Sequence, residues 1–349
     1  MIARARSKTS LNNWMRVMIL IIDLISTLSA SLLDNLSLVA QDIKRNFEPF
    51  GGIKLLVFGD FLQLPPVSNL WHESTKWAFD SCLWKDLGIK TIEFNGNNRH
   101  SGNLSFASML KRLRDGSSTV DDFEYIKSLA REVKYTDSIE PVRIYAKKNK
   151  VARYNSYRLS QLDAKSVILE SVDTGDASML RYCPVEEKFE LKVGSQVMLV
   201  RNINERLVNR SVGTLVGFET SPSGNTVPVV NMVLGNNSIM EYKAEPVEWT
   251  VTGPDCNVVA FRIQVPLILA WSITIHKPQG RTIPRLIVDI EGVFEEGQCY
   301  VALSRCPCDS NIQVLNFRKK HVMSNQECVR FYKSVSNADD ATFVAPNTG

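Results

Sequence analysis

Short apolar runs that stop abruptly at polar or glycine residues constrain this chain more than any other feature. MILII (18–22) stops at Asp23, the run 53–58 stops at Gly59 and Asp60, and 142–146 and 286–290 have the same form. Runs this short and this uniformly apolar read as buried strands of a parallel sheet. Between them lie segments of helical spacing. From Ser29 onward Leu32, Leu33, Leu36, Val39, Ala40, Ile43 and Phe47 share one face, Lys44 and Arg45 suit the C-terminal end, and Pro49, Gly51 and Gly52 break the helix. The stretches 104–114 and 120–131 are amphipathic helices, the first closed by Gly116, and 150–162 is the helix after the strand at 142–146. Residues 91–94 read as one more strand. Strand alternating with helix is the signature of an α/β protein built on parallel sheets.

Between 191 and 265 the composition shifts to glycine turns and short β-rich runs, VMLV, VGTLVGF, VPVVNMVL and VVAFRIQV, which read as a small inserted β-barrel. A chain of 349 residues with 44% hydrophobic and 22% charged content is long enough for two or three domains. Its net charge of +4 permits nucleic-acid binding without demanding it, because a solvated basic face has the same signature. The seven cysteines are scattered apart from Cys306 and Cys308, and the four histidines are dispersed, so free thiols are expected rather than a zinc site. Arg4, Arg6, Lys8 and Arg16 precede an apolar run, 17–25. Asp23 interrupts that run, which is also shorter than the ~20 residues that span a bilayer, and this argues against a secretory signal.

Three stretches carry the chemistry. In PLILAWSITIHKPQGRT (266–282) a long apolar run ends in His276, Lys277, Pro278, Gln279 and Gly280. Polar and cationic groups with a glycine at the end of a buried segment build a phosphate-facing site; a core helix that stops at a surface turn has the same pattern. Pro278 removes a backbone donor and disfavours helical geometry at Lys277, so a helix here is expected to end by Lys277. The other two stretches are GDFLQLPP (59–66) and GQCYVALSR (297–305). Asp23 presents a carboxylate at the C-terminal end of its strand, either as a helix cap or as the magnesium-side aspartate of a nucleotide-hydrolysing fold. Trp71, Trp77, Phe79 and Trp84 lie among apolar neighbours at helical spacing and read as packed core rather than a base-stacking platform.

Together, and in this order, the motifs resemble the helicase core of the Pif (petite integration frequency) family, DNA helicases moving five-prime to three-prime, and the related Helitron transposon helicases. The resemblance runs from about Met18 to Phe317. It implies two RecA-like parallel-sheet domains, the first incomplete, with a small β-barrel inserted in the second. The implied boundaries are 1–95 for the partial first motor domain, 96–138 for a helical connector, 139–190 with 266–320 for the second motor domain, 191–265 for the barrel and 321–349 for a tail. ATP and Mg2+ are the implied cofactors, with Asp23 on the metal side. Gln63 matches the sensor of the terminal phosphate, a role suited to an amide that donates to phosphate oxygen and accepts from water. Arg99 matches an arginine that reaches the same phosphate, and Arg305 resembles an arginine finger, where planar bidentate donation matters. The resemblance places Gly59, Asp60, Gln279 and Gly280 on the nucleotide side. Thr274, His276 and Lys277 fall where nucleotide state is coupled to the DNA backbone, a contact that holds phosphate without reading sequence. Single-stranded DNA or DNA junctions are the implied partners, with no membrane. DNA repair, recombination and telomere maintenance are the implied setting, in the nucleus or the mitochondrion.

The chain departs from the family pattern at several positions. Asp-Glu-Ile-Ser is replaced by Asp23, Leu24, Ile25 and Ser26, and leucine can neither orient nor activate a water. His100 stands where the family has glutamine and Pro278 where it has serine. Arg210 follows Asn209 where the family usually has glycine, which puts the conformation of that turn in question, since glycine tolerates positive φ and arginine does not. No G-x-x-x-x-G-K-[ST] loop occurs in these residues. The resemblance places that loop upstream of Met1, so an N-terminally truncated, catalytically incomplete chain with exposed apolar sheet edges is expected. Two other readings stay open: a non-catalytic module binding single-stranded nucleic acid, and a decayed transposon-derived helicase fragment.

Overall fold

The computed structural model describes residues 8–66, 76–94, 99–100, 102–134, 140–221, 224–234, 238–252, 258–277 and 279–336. The chain divides into two compact units, Met1–Glu140 with Gln279–Gly349, and Pro141–Pro278. Trp71, Asn97, Asn98 and Pro278 lie outside the described residues.

The first unit opens with α1 (Lys8–Arg16), β1 (Ile19–Ile22), α2 (Ala30–Lys44) and β2 (Lys54–Val57). β1 and β2 run parallel, Ile19 opposite Lys54 and Ile22 opposite Val57, so α2 is the crossover between them. Ser29 caps α2, its Oγ accepting from Leu32 N at 3.3 Å, and Lys44 occupies the last turn, where a cation suits the helix dipole. The face with Leu33, Val39, Ala40 and Ile43 is buried, each large side chain contributing roughly 1.5–3 kcal/mol.

Only one face of the β1–β2 sheet is buried, which corrects the expectation of strands covered on both sides. Leu20, Ile22, Leu55 and Val57 pack into a core with Ile25, Leu33, Phe50, Phe61 and Trp77, whereas Ile19, Ile21 and Leu56 are 51%, 63% and 48% exposed. Phe61 sits edge-on to Trp77, Phe79, Trp84 and Phe331, so the described aromatics of this region form core, as their spacing predicts. Residues 91–94 are not a strand, and Ile92 and Phe94 are exposed; no neighbouring strand among the described residues offers them a ladder.

The connector helices are α3 (Leu104–Asp115) and α4 (Val120–Ser128). Asn103 caps α3 through Phe106 N, and Gly116 ends it at φ 79 in the left-handed conformation expected of it. Thr119 and Asp122 form a reciprocal capping box at the start of α4.

In the second unit β3 (Val142–Tyr145) is followed by α5 (Lys148–Ser160), then β4 (Val167–Glu170), β5 (Val172–Gly175), β6 (Lys188–Leu191), β7 (Gln196–Leu199), β8 (Val212–Thr220), β9 (Thr226–Val233), β10 (Ile239–Lys243), β11 (Val247–Thr252), β12 (Val258–Gln264), β13 (Leu267–Leu269) and β14 (Ser272–Thr274). A five-stranded antiparallel sheet has the order β10-β9-β8-β7-β13, with smaller sheets β11-β12-β5 and β4-β6. Phe189, Leu191, Val197, Leu199, Leu215, Val230 and Met232 share one core.

The apolar run from Pro266 does not form the expected helix. Its successive triplets serve two different sheets: β13 is antiparallel to β7, and β14 is parallel to β3 with Ser272 opposite Arg143. The second triplet is buried throughout and the first is buried at Leu267 and half-buried at Ile268 and Leu269, so no position is exposed and the run shows no helical period, and Ile268, Ile273 and Thr274 are β-branched residues that favour strands. The turn before β8 keeps a left-handed residue although it is an arginine: Arg210 has φ 74, fixed by its N–H to Leu199 O at 2.7 Å and by Asn209 N to Asn202 Oδ1 at 2.7 Å.

The chain returns to the first unit with β15 (Leu286–Asp289), α6 (Gln298–Leu303), β16 (Ile312–Leu315) and α7 (Gln326–Ser336). β15 and β16 are parallel, and α7 sets Cys328, Val329, Phe331 and Tyr332 against the core of β1 and β2. Among the described residues no helix is long and apolar enough to cross a membrane.

Candidate functional site

The C-terminal ends of β1 and β2 lie side by side, the edge at which parallel α/β sheets place their ligands. Phe58 N donates to Ile22 O at 2.8 Å and Ile25 N to Phe58 O at 3.0 Å. Gly59, at φ 145, backs onto this junction so closely that a Cβ would lie 2.8 Å from Ile25 N; only glycine fits. Asp23 is exposed here and caps Leu24 N at 2.8 Å. Leu24 itself is left-handed at φ 55, ψ 45 and places an aliphatic group beside that carboxylate.

The loop leaving β2 is organised by Asp60. Its Oδ1 accepts from Leu62 N at 3.1 Å, its backbone carbonyl accepts from Gln63 N at 3.0 Å, and its Oδ2 accepts from Gln63 Nε2 at 3.3 Å. Arg114, in the last turn of α3, grips the same carboxylate in a fork, Nε to Oδ2 at 2.8 Å and Nη2 to Oδ1 at 2.7 Å. Burial alone would lower the Arg114 pKa, but the hydrogen bonds and charge of Asp60 outweigh it and raise it. From α7, the Tyr332 hydroxyl donates to Asp60 Oδ1 at 3.3 Å and accepts from Phe61 N at 2.9 Å.

Arg305 reaches this region from the end of α6. Gly297, the N-cap of α6 at φ 74, touches the Gln63 backbone, and a Cβ there would lie 2.3 Å from Gln63 O. Arg305 is only 2% exposed; its Nε donates to Val301 O at 2.9 Å and its Nη2 to Ser304 Oγ at 2.8 Å. No acid forms an ion pair with it among the described residues. Burial first, and then the charge of Arg99, push its pKa down to about 10. Arg99 is anchored alongside, Nε donating to Thr282 Oγ1 at 2.9 Å and Nη1 to Ser304 O at 3.4 Å. Tyr300 lies among Asp60, Arg114, Arg305 and Arg99; burial and the Asp60 charge raise its pKa, against the arginines. His100, the glutamine substitution, is buried and donates from Nε2 to Cys306 O at 3.0 Å, its pKa lowered by burial and then by Arg99.

Gln63, Asp60, Arg99 and Arg305 therefore gather in one unit, and Gln279 and Gly280 belong to that unit, three and two residues before the Thr282 that holds Arg99. Thr274, His276 and Lys277 belong to the other unit. There Lys277 N donates to Thr274 O at 3.0 Å, and the Lys277 pKa is pushed down to about 8, by burial first and then by Lys148 and Arg210. Reading the sequence did not single out Arg114, Tyr300 or Tyr332. The signal for Arg114 was slight, a basic residue near Gly116 of the kind any helix end carries.

Arg99 and Arg305 are two cations held together while the carboxylate beside them is occupied by Arg114. Such a pair accepts an anion, and fixed guanidinium donors suit phosphoryl oxygens. This donor set fits the terminal phosphoryl end of a nucleoside triphosphate. On the metal side the chain offers Asp23, and Mg2+ commonly takes one or two carboxylates and keeps its waters; no cluster of three metal-ligating side chains occurs among the described residues.

Comparison with known proteins agrees with the motifs. The family model described as PIF1-like helicase matches residues 1–123, and that of the DNA helicase Pif1 2B domain matches 177–218. The ATP-dependent DNA helicase PIF1 of Candida albicans is 31% identical over 425 residues, covering 95% of this chain and 47% of that protein. That of Danio rerio is 35% identical over 329 residues, covering 93% and 50%. The chain thus spans about half the length of the curated relatives it matches. The crystal structure of Pif1 helicase from Candida albicans superposes with a TM-score of 0.87 at 36% identity, covering 96% of this chain and 80% of that one. Bacteroides Pif1 bound to ssDNA gives 0.78 at 25% identity, covering 95% and 78%.

Proposed function

Because the chain belongs to the PIF1-like helicase family, we propose that it works in an ATP-dependent DNA motor in which Gln63, Arg99 and Arg305 engage the terminal phosphoryl group of the nucleotide. The observation that carries this reading is the buried Arg305, without an acidic partner among the described residues, beside an Arg99 held to the same segment. ATP supplies the phosphoryl group. Arg305 is fixed by Val301 O and Ser304 Oγ, so it meets developing negative charge without having to reorganise. Gln63 is oriented through Nε2 by Asp60, which leaves its Oε1 to accept from a water. Asp23 would hold the metal. Arginines in this role are worth ~10³ to 10⁵ in rate.

Leu24 removes the general base, a loss of about 10² to 10⁴, and we infer that the 349 residues alone hydrolyse ATP slowly. Single-stranded DNA is the inferred partner, through Thr274, His276 and Lys277, with maintenance of nuclear or mitochondrial DNA as the inferred setting. Steady-state ATPase measurements with Mg2+, with and without a single-stranded oligonucleotide, test this. Slow turnover is expected. Brisk turnover lost on Arg305→Ala would overturn the slow-hydrolysis inference and keep the arginine role; brisk turnover indifferent to Arg305→Ala would overturn the arginine role.

A second reading, nucleotide-independent binding of a single strand by the second unit, is favoured by the cations around Lys277. It requires affinity that falls steeply with salt.

A further inference from the structure

We propose that the cleft between Phe294 and the N-terminus of α7 docks a basic peptide segment of a partner protein, whose arginine or lysine side chains lie against Phe294 and pair with Asp80, Glu296 and Glu327. The inference needs neither nucleotide nor DNA and stands apart from the motor reading.

The cleft has a volume of about 780 Å³, inside the ~300–1,000 Å³ usual for ligand clefts, and its lining belongs wholly to the first unit. Its walls come from the loop that carries Gln63, from 76–80, from the link between β15 and α6, and from the start of α7. These walls are tied together. Gly297 presses on Gln63 O, and its N–H donates to Met323 O at 3.0 Å. Asn325 caps α7, its Oδ1 accepting from Glu327 N and Cys328 N, both at 2.9 Å, while its Nδ2 donates to Glu296. Trp77 N donates to Asp80 Oδ2 at 2.9 Å. A cleft held in this way needs little ordering when it is filled.

Phe294 is 63% exposed on a link whose neighbours Val293 and Gly297 are buried, so its ring is presented rather than packed. The lining holds four acids and one lysine, in a chain whose net charge is +4. The donors to Asp80 and Glu296 are neutral groups, and Asp80, Glu296 and Glu327 form no ion pair among the described residues. The three acids lie around one point: the buried Cys328 thiol has its pKa raised by burial first and then by Glu296, Glu327, Asp60 and Asp80.

Such a lining repels a phosphate backbone and accepts cations, and a cation over the face of a phenyl ring gains beyond its ion pair. The aliphatic stems of arginine and lysine cover the half-buried Pro65 and the Phe294 ring. Lys76 adds a donor at the rim, so the occupant brings an acceptor as well as cations. A peptide supplies both, in its carbonyls and its basic side chains, whereas a polyamine supplies cations alone.

Fluorescence anisotropy of a labelled peptide of alternating arginine and glycine, titrated with the full chain, tests the assignment. The variants are Phe294→Ala and Glu327→Gln, with Glu132→Gln removing the same charge from an exposed position outside the lining. All three are surface substitutions, so parental melting temperatures are expected and lost affinity is not lost folding. At ~0.1 M salt the expected affinity falls about threefold in each of Phe294→Ala and Glu327→Gln and stays parental in Glu132→Gln. Absence of parental binding, unchanged binding by Phe294→Ala or by Glu327→Gln, or equal losses in all three variants overturns the proposal and leaves the motor reading in place. Displacement of the peptide by spermine at equal charge concentration overturns it in favour of a small-cation site. Self-association of the chain that is lost in Phe294→Ala overturns it in favour of a second copy in the cleft.

Discussion

A Cβ on Gly297 would lie 2.3 Å from the carbonyl oxygen of Gln63, so the N-terminus of the helix that leads to Arg305 rests directly on the backbone of the loop that carries Gln63. This contact sets the distance between the two motif stretches. Gly297→Ala meets both a backbone clash and a strained φ of 74, and the contacting atom cannot rotate away. The expected loss is about 2–4 kcal/mol of unfolding free energy by urea denaturation. A loss under ~0.5 kcal/mol would mean that the two segments are not pressed together.

The Asp60–Arg114 fork should matter more than the hydroxyl that joins it. Arg114→Leu leaves the Asp60 carboxylate, mostly buried, without its cation, and the expected cost is roughly 2–3 kcal/mol after allowance for partial exposure. Tyr332→Phe removes one acceptor for Phe61 N and one donor to Asp60, with an expected cost of about 1 kcal/mol. Chemical denaturation of both variants checks the order, and a larger loss for Tyr332→Phe would contradict it.

Much of this arrangement was legible in the sequence. GDFLQLPP and GQCYVALSR drew attention to Gln63, Asp60 and Arg305, and Ser29 and Gly116 marked helix ends, the serine as a hydroxyl acceptor and the glycine as a residue at ease in the left-handed conformation. Arg114 and Tyr332 were not legible, since what makes them part of the site is a carboxylate 54 and 272 residues away in the chain. The run from Pro266 misled for a different reason: two sheets share it, and a run with no exposed position has no period from which helix or strand can be told. Arg210 put the conformation of its turn in question, since arginine disfavours positive φ, and yet the turn keeps φ 74 because its hydrogen bonds over-determine it.

Lys277 predicts a pH dependence whose sign is fixed. Its folded pKa, about 8, lies below the unfolded value near 10.5, so between these limits the unfolded chain binds more protons and stability rises as pH increases. Lys277→Met should remove that rise from melting curves recorded between pH 8 and pH 10.5. Affinity for a single strand should move the opposite way, weakening as Lys277 loses its proton above about pH 8. A parental stability that falls across this range, with no difference in the Lys277→Met variant, would contradict the assignment.

The outer face of β1 and β2 predicts self-association. Ile19, Ile21 and Leu56 form an exposed apolar row on a parallel pair of a kind normally covered on both sides. Ile21→Lys is expected to lower light scattering of the concentrated chain while shifting stability by no more than about 0.5 kcal/mol, as for a surface substitution. Unchanged scattering with a large loss of stability would show that the face is covered in solution.

The account stands most directly on Arg99 and Arg305 as a paired anion site, which the arginine Nε–H resonances of the isotopically labelled chain report during titration with pyrophosphate. Shifts of the Arg99 and Arg305 signals at millimolar anion, with the Arg99 response lost in Arg305→Ala, are the predicted result. Signals of both arginines unmoved by pyrophosphate would contradict it.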